Sequence, residues 1–467
     1  MRLSKYIKKV MAIIMCCGMS CCEDFVDLDA PDHKIVSEVV FASDETANSA
    51  MTGIYNQLFI APFSRGWMDS VTVLTGLASD ELHNIWTTNL GYMEFEQNEI
   101  LPTNSNNLGL WSSAYNIIYM TNALLEGLEN SDQITDDVRY RLEGEAKFVR
   151  AFSYFYLVNL YGDVPLLLST DYRVNALASR NTMEEVYQQL NIDLENAINL
   201  LDDSYTEGER THANRYAATS LLARVNLYLE NWEQAENLSS EVLAHSDTYQ
   251  LLEDLDQVFL ANSKEAIWQL SPIGRGSSST QTNEGNVFII DPIFSAFANL
   301  KLSEDFVGTL NAEDKRLLNW VGYHDGTSAY YAYKYKIWIS TASVTEYSMV
   351  LRLAEQYLIR AESRARQGNL MGAIADVDII RKRAGLELLA DTDPGMGKDA
   401  LLQVIFEERR KELFTEWGHR WFDLKRSGQF DEVLGPNKSF WDDTDILFPI
   451  PEEERMKNTN LGQNPGY

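Results

Sequence analysis

Leu351-Arg352-Leu353-Ala354-Glu355-Gln356-Tyr357-Leu358-Ile359-Arg360-Ala361-Glu362 runs on to Gly368-Asn369 and then to Leu370, Ile374, Val377 and Ile380. Within it Ala354, Leu358, Ala361 and Ala365 fall at i, i+4, i+7 and i+11, which places them on one face of an α-helix. Gly368-Asn369 interrupts the chain, the second set resumes the helical spacing, and Gly385 supplies the residue that tolerates a left-handed closing turn. The spacing predicts two antiparallel helices joined by a short turn. A third helix is expected over 400–417, carrying Leu402, Ile405, Phe406 and Leu413.

The same pattern recurs towards the N-terminus. Asn214 opens a helix with Ala217, Leu221, Ala223, Val225 and Tyr228, Asn231-Trp232 makes a junction, and 233–244 forms the partner. Alanines on one helix with aromatics at the junction resemble tetratricopeptide packing, although the repeat period is irregular. Further helices are expected over 183–201, 138–160 and 111–128, and from Ser43-Asp44 through Leu58. The 138–160 segment is apolar on two faces, Leu142, Ala146, Val149 and Tyr156 on one and Phe148, Phe152 and Phe155 on another, so other helices should enclose it. Residues 250–345 break the pattern with β-like pieces at 266–270 and 333–339 and a polar stretch at 274–286, and 440–467 is an extended tail. The fold class expected is mainly α: helical hairpins with an irregular, loop-rich portion and few short strands.

The four cysteines are Cys16, Cys17, Cys21 and Cys22, and the remainder of the 467 residues has none. A disulfide framework or thiolate metal site in the body is thereby excluded. Arg2, Lys5, Lys8 and Lys9 precede an apolar run at 10–19, too short to span a bilayer but suited to a signal peptide. Ser20 then leads to the cysteine pair, as in a bacterial lipoprotein signal. Cys22 fits lipidation better, with Cys21 the alternative, because Met19 then stands three residues upstream. The expected division is a signal at 1–21, an acidic tether at 22–40 and one domain at 41–467. In that domain the helical framework occupies about 41–245 and 350–430, and the irregular insert about 250–345.

Acidic residues number 69 against 39 basic, a formal charge of −30. Such a surface repels phosphate backbones, so nucleic acid is not an expected partner. Catalytic signatures are scarce: no H-E-x-x-H, G-x-S-x-G or Walker A occurs, and the six histidines are scattered. No metal or other cofactor is expected, and Asp80-Glu81 is an adjacency that a chain this acidic produces by chance. The aromatics carry more information, with 10 Trp, 23 Tyr and 19 Phe. Rings in polar loops offer flat apolar faces that stack on sugars. On that ground Trp86, Trp320, Tyr323, Tyr330 and Tyr331 are the candidate glycan-binding residues.

Several segments together carry a family likeness: 351–362, Ile380-Arg381-Lys382-Arg383-Ala384-Gly385-Leu386, Glu407-Glu408-Arg409-Arg410-Lys411-Glu412-Leu413, and Gly418-His419-Arg420-Trp421-Phe422-Asp423-Leu424-Lys425-Arg426. Tyr161-Gly162-Asp163-Val164-Pro165, the ending Asn464-Pro465-Gly466-Tyr467 and the acidic Glu23-Asp24 also fit. The chain resembles the SusD/RagB family of outer-membrane nutrient-binding lipoproteins. The resemblance implies a tetratricopeptide-like superhelix with an irregular ligand-binding half, and no enzymatic activity. It implies a lipid-anchored protein on the outside of a Gram-negative outer membrane. There it would act as the lid of a SusC-like TonB-dependent transporter, capturing oligosaccharides or, in the RagB branch, peptides. The 409–426 signature is expected to be structural, with Arg420 and Asp423 at pairing distance on a helix. The competing expectations are a helical-repeat scaffold that binds only proteins and, more remotely, an α-helical glycoside hydrolase.

Overall fold

A computed structural model describes residues 37–467. The expected signal segment, Cys21, Cys22 and most of the expected tether lie outside the described residues; Ser37–Val40, at the end of the expected tether, is a short helix. Among the described residues, the helices of at least eight residues are α1 (Asp44–Ile60), α2 (Val71–Ala78), α3 (Leu90–Gln97), α4 (Ser105–Glu129), α5 (Asp136–Tyr161), α6 (Met183–Leu200), α7 (Arg215–Tyr228), α8 (Trp232–Ala244), α9 (Leu353–Arg366), α10 (Leu370–Ala384), α11 (Lys398–Leu413) and α12 (His419–Ser427). The strands are β1 (Leu82–Asn84), β2 (Ala266–Leu270), β3 (Leu300–Leu302), β4 (Val321–His324), β5 (Ala329–Ala332) and β6 (Ser348–Arg352), paired antiparallel as β1–β3, β2–β6 and β4–β5.

The helices begin where their caps stand. Ser43 accepts from the Thr46 amide, Asn214 accepts from Ala217, and Thr182 and Glu185 form a reciprocal capping box. Asn369 accepts from the Gly372 amide at 3.1 Å to open α10, and Gly385 closes it at φ 77°, a value only glycine adopts without strain. Ala361, Ala365 and Ala373 are wholly buried between α9, α10 and α11, packed with Val377, Leu401 and Ile405. Small side chains here set the close approach of the hairpin.

Helix α5 is enclosed, as its two apolar faces require. Its Phe148 and Phe152 meet the Trp268 ring of β2 edge-on at 4.8 and 5.0 Å, and Phe152 also meets Trp417 at 5.2 Å. Arg150 of α5 clamps Asp193 of α6 with two hydrogen bonds of 2.8 and 2.7 Å. Two expected boundaries shift and one expected strand is missing: α4 begins six residues early because Asn104 caps it, α11 stops at Leu413, and 333–339 is not a strand. The ladder there ends at Ala332, and Lys334 turns inward instead of alternating outward.

That lysine enters a buried ionic cluster which fastens the irregular insert to the framework. Arg352 bonds Glu265 at 3.0 Å, Glu412 at 2.6 Å and Glu416 at 2.8 Å. Arg383 bonds Glu265 at 2.7 Å and also Glu412; Arg316 bonds Asp314 at 2.8 Å, Glu408 at 2.6 Å and Glu412 at 3.2 Å. Lys334 donates to the carbonyls of Glu412 and Phe414 at 2.9 and 2.8 Å and to Glu416. Burial lowers the Lys334 ammonium to about 8. Buried charges persist only when each is paired in this manner. The pairs come from both the insert and α9–α11, so the cluster fixes how the insert sits on the hairpins.

The 409–426 signature is structural, but its pairing differs from expectation. Arg420 bonds Asp80 at 2.7 and 2.9 Å instead of Asp423, which takes Arg409 and Arg426, each at 2.8 Å. Asp80 also holds Arg410 at 2.7 Å, so the Asp80-Glu81 pair anchors the signature helices to the end of α2.

Candidate functional site

A cleft of about 530 Å³ opens in the insert, walled by Trp67, Phe294, Phe297 and Trp338, with Asn286, Asp291 and Asn299 among its polar residues. The Phe294 and Trp338 rings are near-parallel, with centroids 5.7 Å apart and an interplanar angle of 26°. Phe297 lies 6.3 Å from Phe294 and is 71 % exposed, although a phenyl ring ordinarily seeks a core. The loop that displays these rings is held by its own polar groups. Asp291 accepts from the Ile293 and Phe294 amides, both at 2.9 Å, and Asn299 donates to the Phe297 carbonyl at 2.9 Å. Asn286 donates to the Trp338 carbonyl at 2.8 Å and ties the two walls together.

Four of the five sequence candidates fall into three groups. Trp86 follows β1, is 46 % exposed, and its indole N–H donates to the Ala298 carbonyl at 2.6 Å. Since Ala298 lines the cleft, Trp86 stands at its margin. Tyr331 packs with Ile85, Ile290, Ala298 and Ala329 in a small apolar cluster, which joins the β4–β5 hairpin to the cleft loop. Tyr323 and Tyr330 face each other across that hairpin with centroids 4.8 Å apart, and Tyr323 is half exposed. Gly322 is required opposite Tyr331: a Cβ there would lie 2.1 Å from the tyrosine ring.

Trp320 is a correction. Its ring is 0 % exposed and lies over the buried cluster, with Lys334 Nζ 4.9 Å and the Arg352 and Arg383 guanidinium carbons 5.7 Å from its centroid. Its N–H donates to the Leu255 carbonyl at 3.1 Å. An indole face suits buried cations because its π-electrons attract them. Trp320 therefore supports the insert and offers no face to a ligand. Sequence reasoning missed Trp67, Phe294, Phe297 and Trp338. The signal that selected Trp86, an aromatic outside the helical segments, applies equally to them.

The concave surface, aromatic walls and amide edges are chemically suited to flat ligands with an apolar face and polar rims. A family profile described as "Starch-binding associating with outer membrane" matches residues 24–227, and one described as "SusD family" matches 326–467. The chain belongs to the SusD/RagB family, a family of binding proteins. It is similar to a SusD-like protein of Formosa agariphila, at 25 % identity with 100 % of each chain covered. Among solved structures it is similar to a SusD superfamily protein of Bacteroides vulgatus, at 21 % identity and a TM-score of 0.80, covering 91 % of this chain and 99 % of that one. A laminarin-binding SusD-like protein aligns at 24 % identity and a TM-score of 0.74, covering 91 % and 100 %. Among the described residues no helix is long and apolar enough to cross a membrane.

Proposed function

We propose that the protein is an outer-membrane lipoprotein which captures an oligosaccharide in the aromatic cleft and hands it to a SusC-like TonB-dependent transporter, over which it closes as a lid. The observation that carries the glycan reading is the cleft itself: Trp67, Phe294, Phe297 and Trp338 present ring faces around a hollow of about 530 Å³. Sugar rings stack on such faces through their C–H groups, while Asn286 and Asn299 offer amide donors and acceptors to hydroxyls. Trp86, and Tyr331 through its apolar cluster, adjoin the lining residue Ala298.

No catalytic step belongs to this reading; the ligand leaves as it arrived. Attachment through Cys22, with Cys21 as the alternative, would tether the fold to the membrane by acyl chains, each buried methylene adding ~0.8 kcal/mol. Family membership and the laminarin-binding neighbour support the reading. Titration calorimetry of the full chain against neutral and acidic oligosaccharides and peptide mixtures tests it. Saturable heat with a glycan class is expected; heat with peptides alone would overturn it.

A further inference from the structure

A second hollow adjoins the aromatic cleft at Trp67. It measures about 310 Å³, and its walls include Phe59, Arg65, Arg275, Gln281 and Asn283. The two hollows are neighbours that share Trp67 and Asn286 as walls, one rich in exposed rings and one with two guanidinium groups; we treat them as one groove.

The two arginines are not equivalent. Arg65 is committed to Asp69, with its Nε 2.8 Å from one carboxylate oxygen and a second N–H on the other. Arg275 gives one N–H to the Gln281 carbonyl and lies over the Phe59 ring, its guanidinium carbon 4.8 Å from the centroid. Its Nε is buried and has no hydrogen-bond partner. Glu284 attracts it from a distance, but the Glu284 carboxylate bonds the Ser348 hydroxyl. With 69 acidic residues available to 39 basic ones, composition favours giving every arginine a carboxylate. Arg275 has none in hydrogen-bond contact among the described residues and stands partly open beside the rings.

We propose that the groove is shaped for an acidic saccharide, whose ring faces lie on Trp67, Phe294 and Trp338 while a carboxylate or sulfate substituent meets Arg275. A guanidinium offers a planar fork of N–H donors that matches either anion with two parallel hydrogen bonds. The Phe59 ring under it holds that fork in one orientation, so little side-chain freedom remains to be lost on binding. Asn283, which donates to the Phe59 and Arg65 carbonyls at 3.3 and 2.7 Å, keeps the same end of the groove rigid. The inference rests on the reading of the aromatic cleft as the glycan site.

The test is calorimetry of the full chain with matched pairs: a uronic-acid oligosaccharide against its methyl ester, a sulfated oligosaccharide against its desulfated form, and neutral laminarin oligosaccharides as a further arm. One acidic member is expected to bind at least tenfold more tightly than its neutral partner, and the pair that responds separates carboxylate from sulfate. Arg275→Gln is expected to bring that ratio close to one, and Arg275→Lys to retain part of it. In the wild type, raising salt from 50 to 500 mM should weaken the acidic member and spare the neutral one. Equal binding of both members in each pair would overturn the acidic-ligand proposal and leave the glycan site standing. Silence from every saccharide would overturn the cleft reading and this proposal with it.

Discussion

Replacing Glu412 with glutamine tests the claim that a buried ionic cluster holds the irregular insert on the helical framework. The Glu412 carboxylate accepts from Arg352 at 2.6 Å, from Arg316 at 3.2 Å and from Arg383, and it is fully buried. Burial works to raise its pKa, but the Arg383, Arg352 and Arg316 guanidiniums outweigh it and hold the carboxyl well below the usual range. Each charge-assisted hydrogen bond contributes about 1.5–3 kcal/mol, and the glutamine amide would set a donor against donors. Glu265, Glu416, Asp314 and Glu408 still face the same arginines, so the full sum is not lost. The expected loss is ~3–5 kcal/mol at neutral pH, the range for breaking a buried pair. Urea unfolding of both proteins, followed by tryptophan fluorescence, measures it.

The pH dependence follows from the same shift. A depressed folded pKa adds stability that is complete above the ordinary glutamate value of ~4.3 and disappears as pH falls towards the folded value. The wild-type advantage should therefore shrink in acid. A difference under about 1 kcal/mol at pH 7, or one that does not change with acidification, would refute the argument.

Glu81 titrates in the opposite sense: burial raises it to about 7, and one of its oxygens has no partner. Wild-type melting temperature should drop from about pH 4.3, where the unfolded carboxyl ionises while the buried one stays protonated, and level off above about pH 7, and the drop should be smaller in Glu81→Gln. Gly322→Val would drive Cβ into the Tyr331 ring, 2.1 Å away, and should cost ~1–3 kcal/mol and open the β4–β5 hairpin to limited proteolysis. Trp320→Ala should cost ~3–5 kcal/mol in unfolding experiments while changing glycan affinity less than twofold at temperatures where it stays folded.

The helical framework was legible because its information is local. The i, i+4 alanines of α9, the Ser43 and Asn214 caps and the Gly385 stop each lie within a few residues of the element they specify. The insert was not, because its determinants are distant in sequence. Trp320 sits between Asn319 and Val321 before a glycine and has the local look of a loop aromatic; the distant Phe259 and Phe414 rings and the Lys334, Arg352 and Arg383 cations make it an interior ring. The 333–339 segment alternates as a strand does, yet Lys334 is drawn inward and Lys336 turns to Asp256 and the Tyr333 carbonyl, so no ladder forms. The cleft takes its four rings from three separated segments, and the family profiles leave residues 228–325, which hold Phe294 and Phe297, unmatched. Trp67 and Trp338 fall within the matched residues, so family resemblance covered the scaffold and two of the four rings and left the loop that displays the other two unread.

The most direct measurement is the dissociation constant of the full chain and of Trp338→Ala for the glycan that gives heat in the panel. Trp338 forms one wall of the cleft and stacks on Phe294, so losing its face should weaken binding at least tenfold, the equivalent of ~1.4 kcal/mol, without lowering the melting temperature comparably. Unchanged affinity in Trp338→Ala, with the protein folded and the wild type binding, would place the glycan elsewhere and contradict the account.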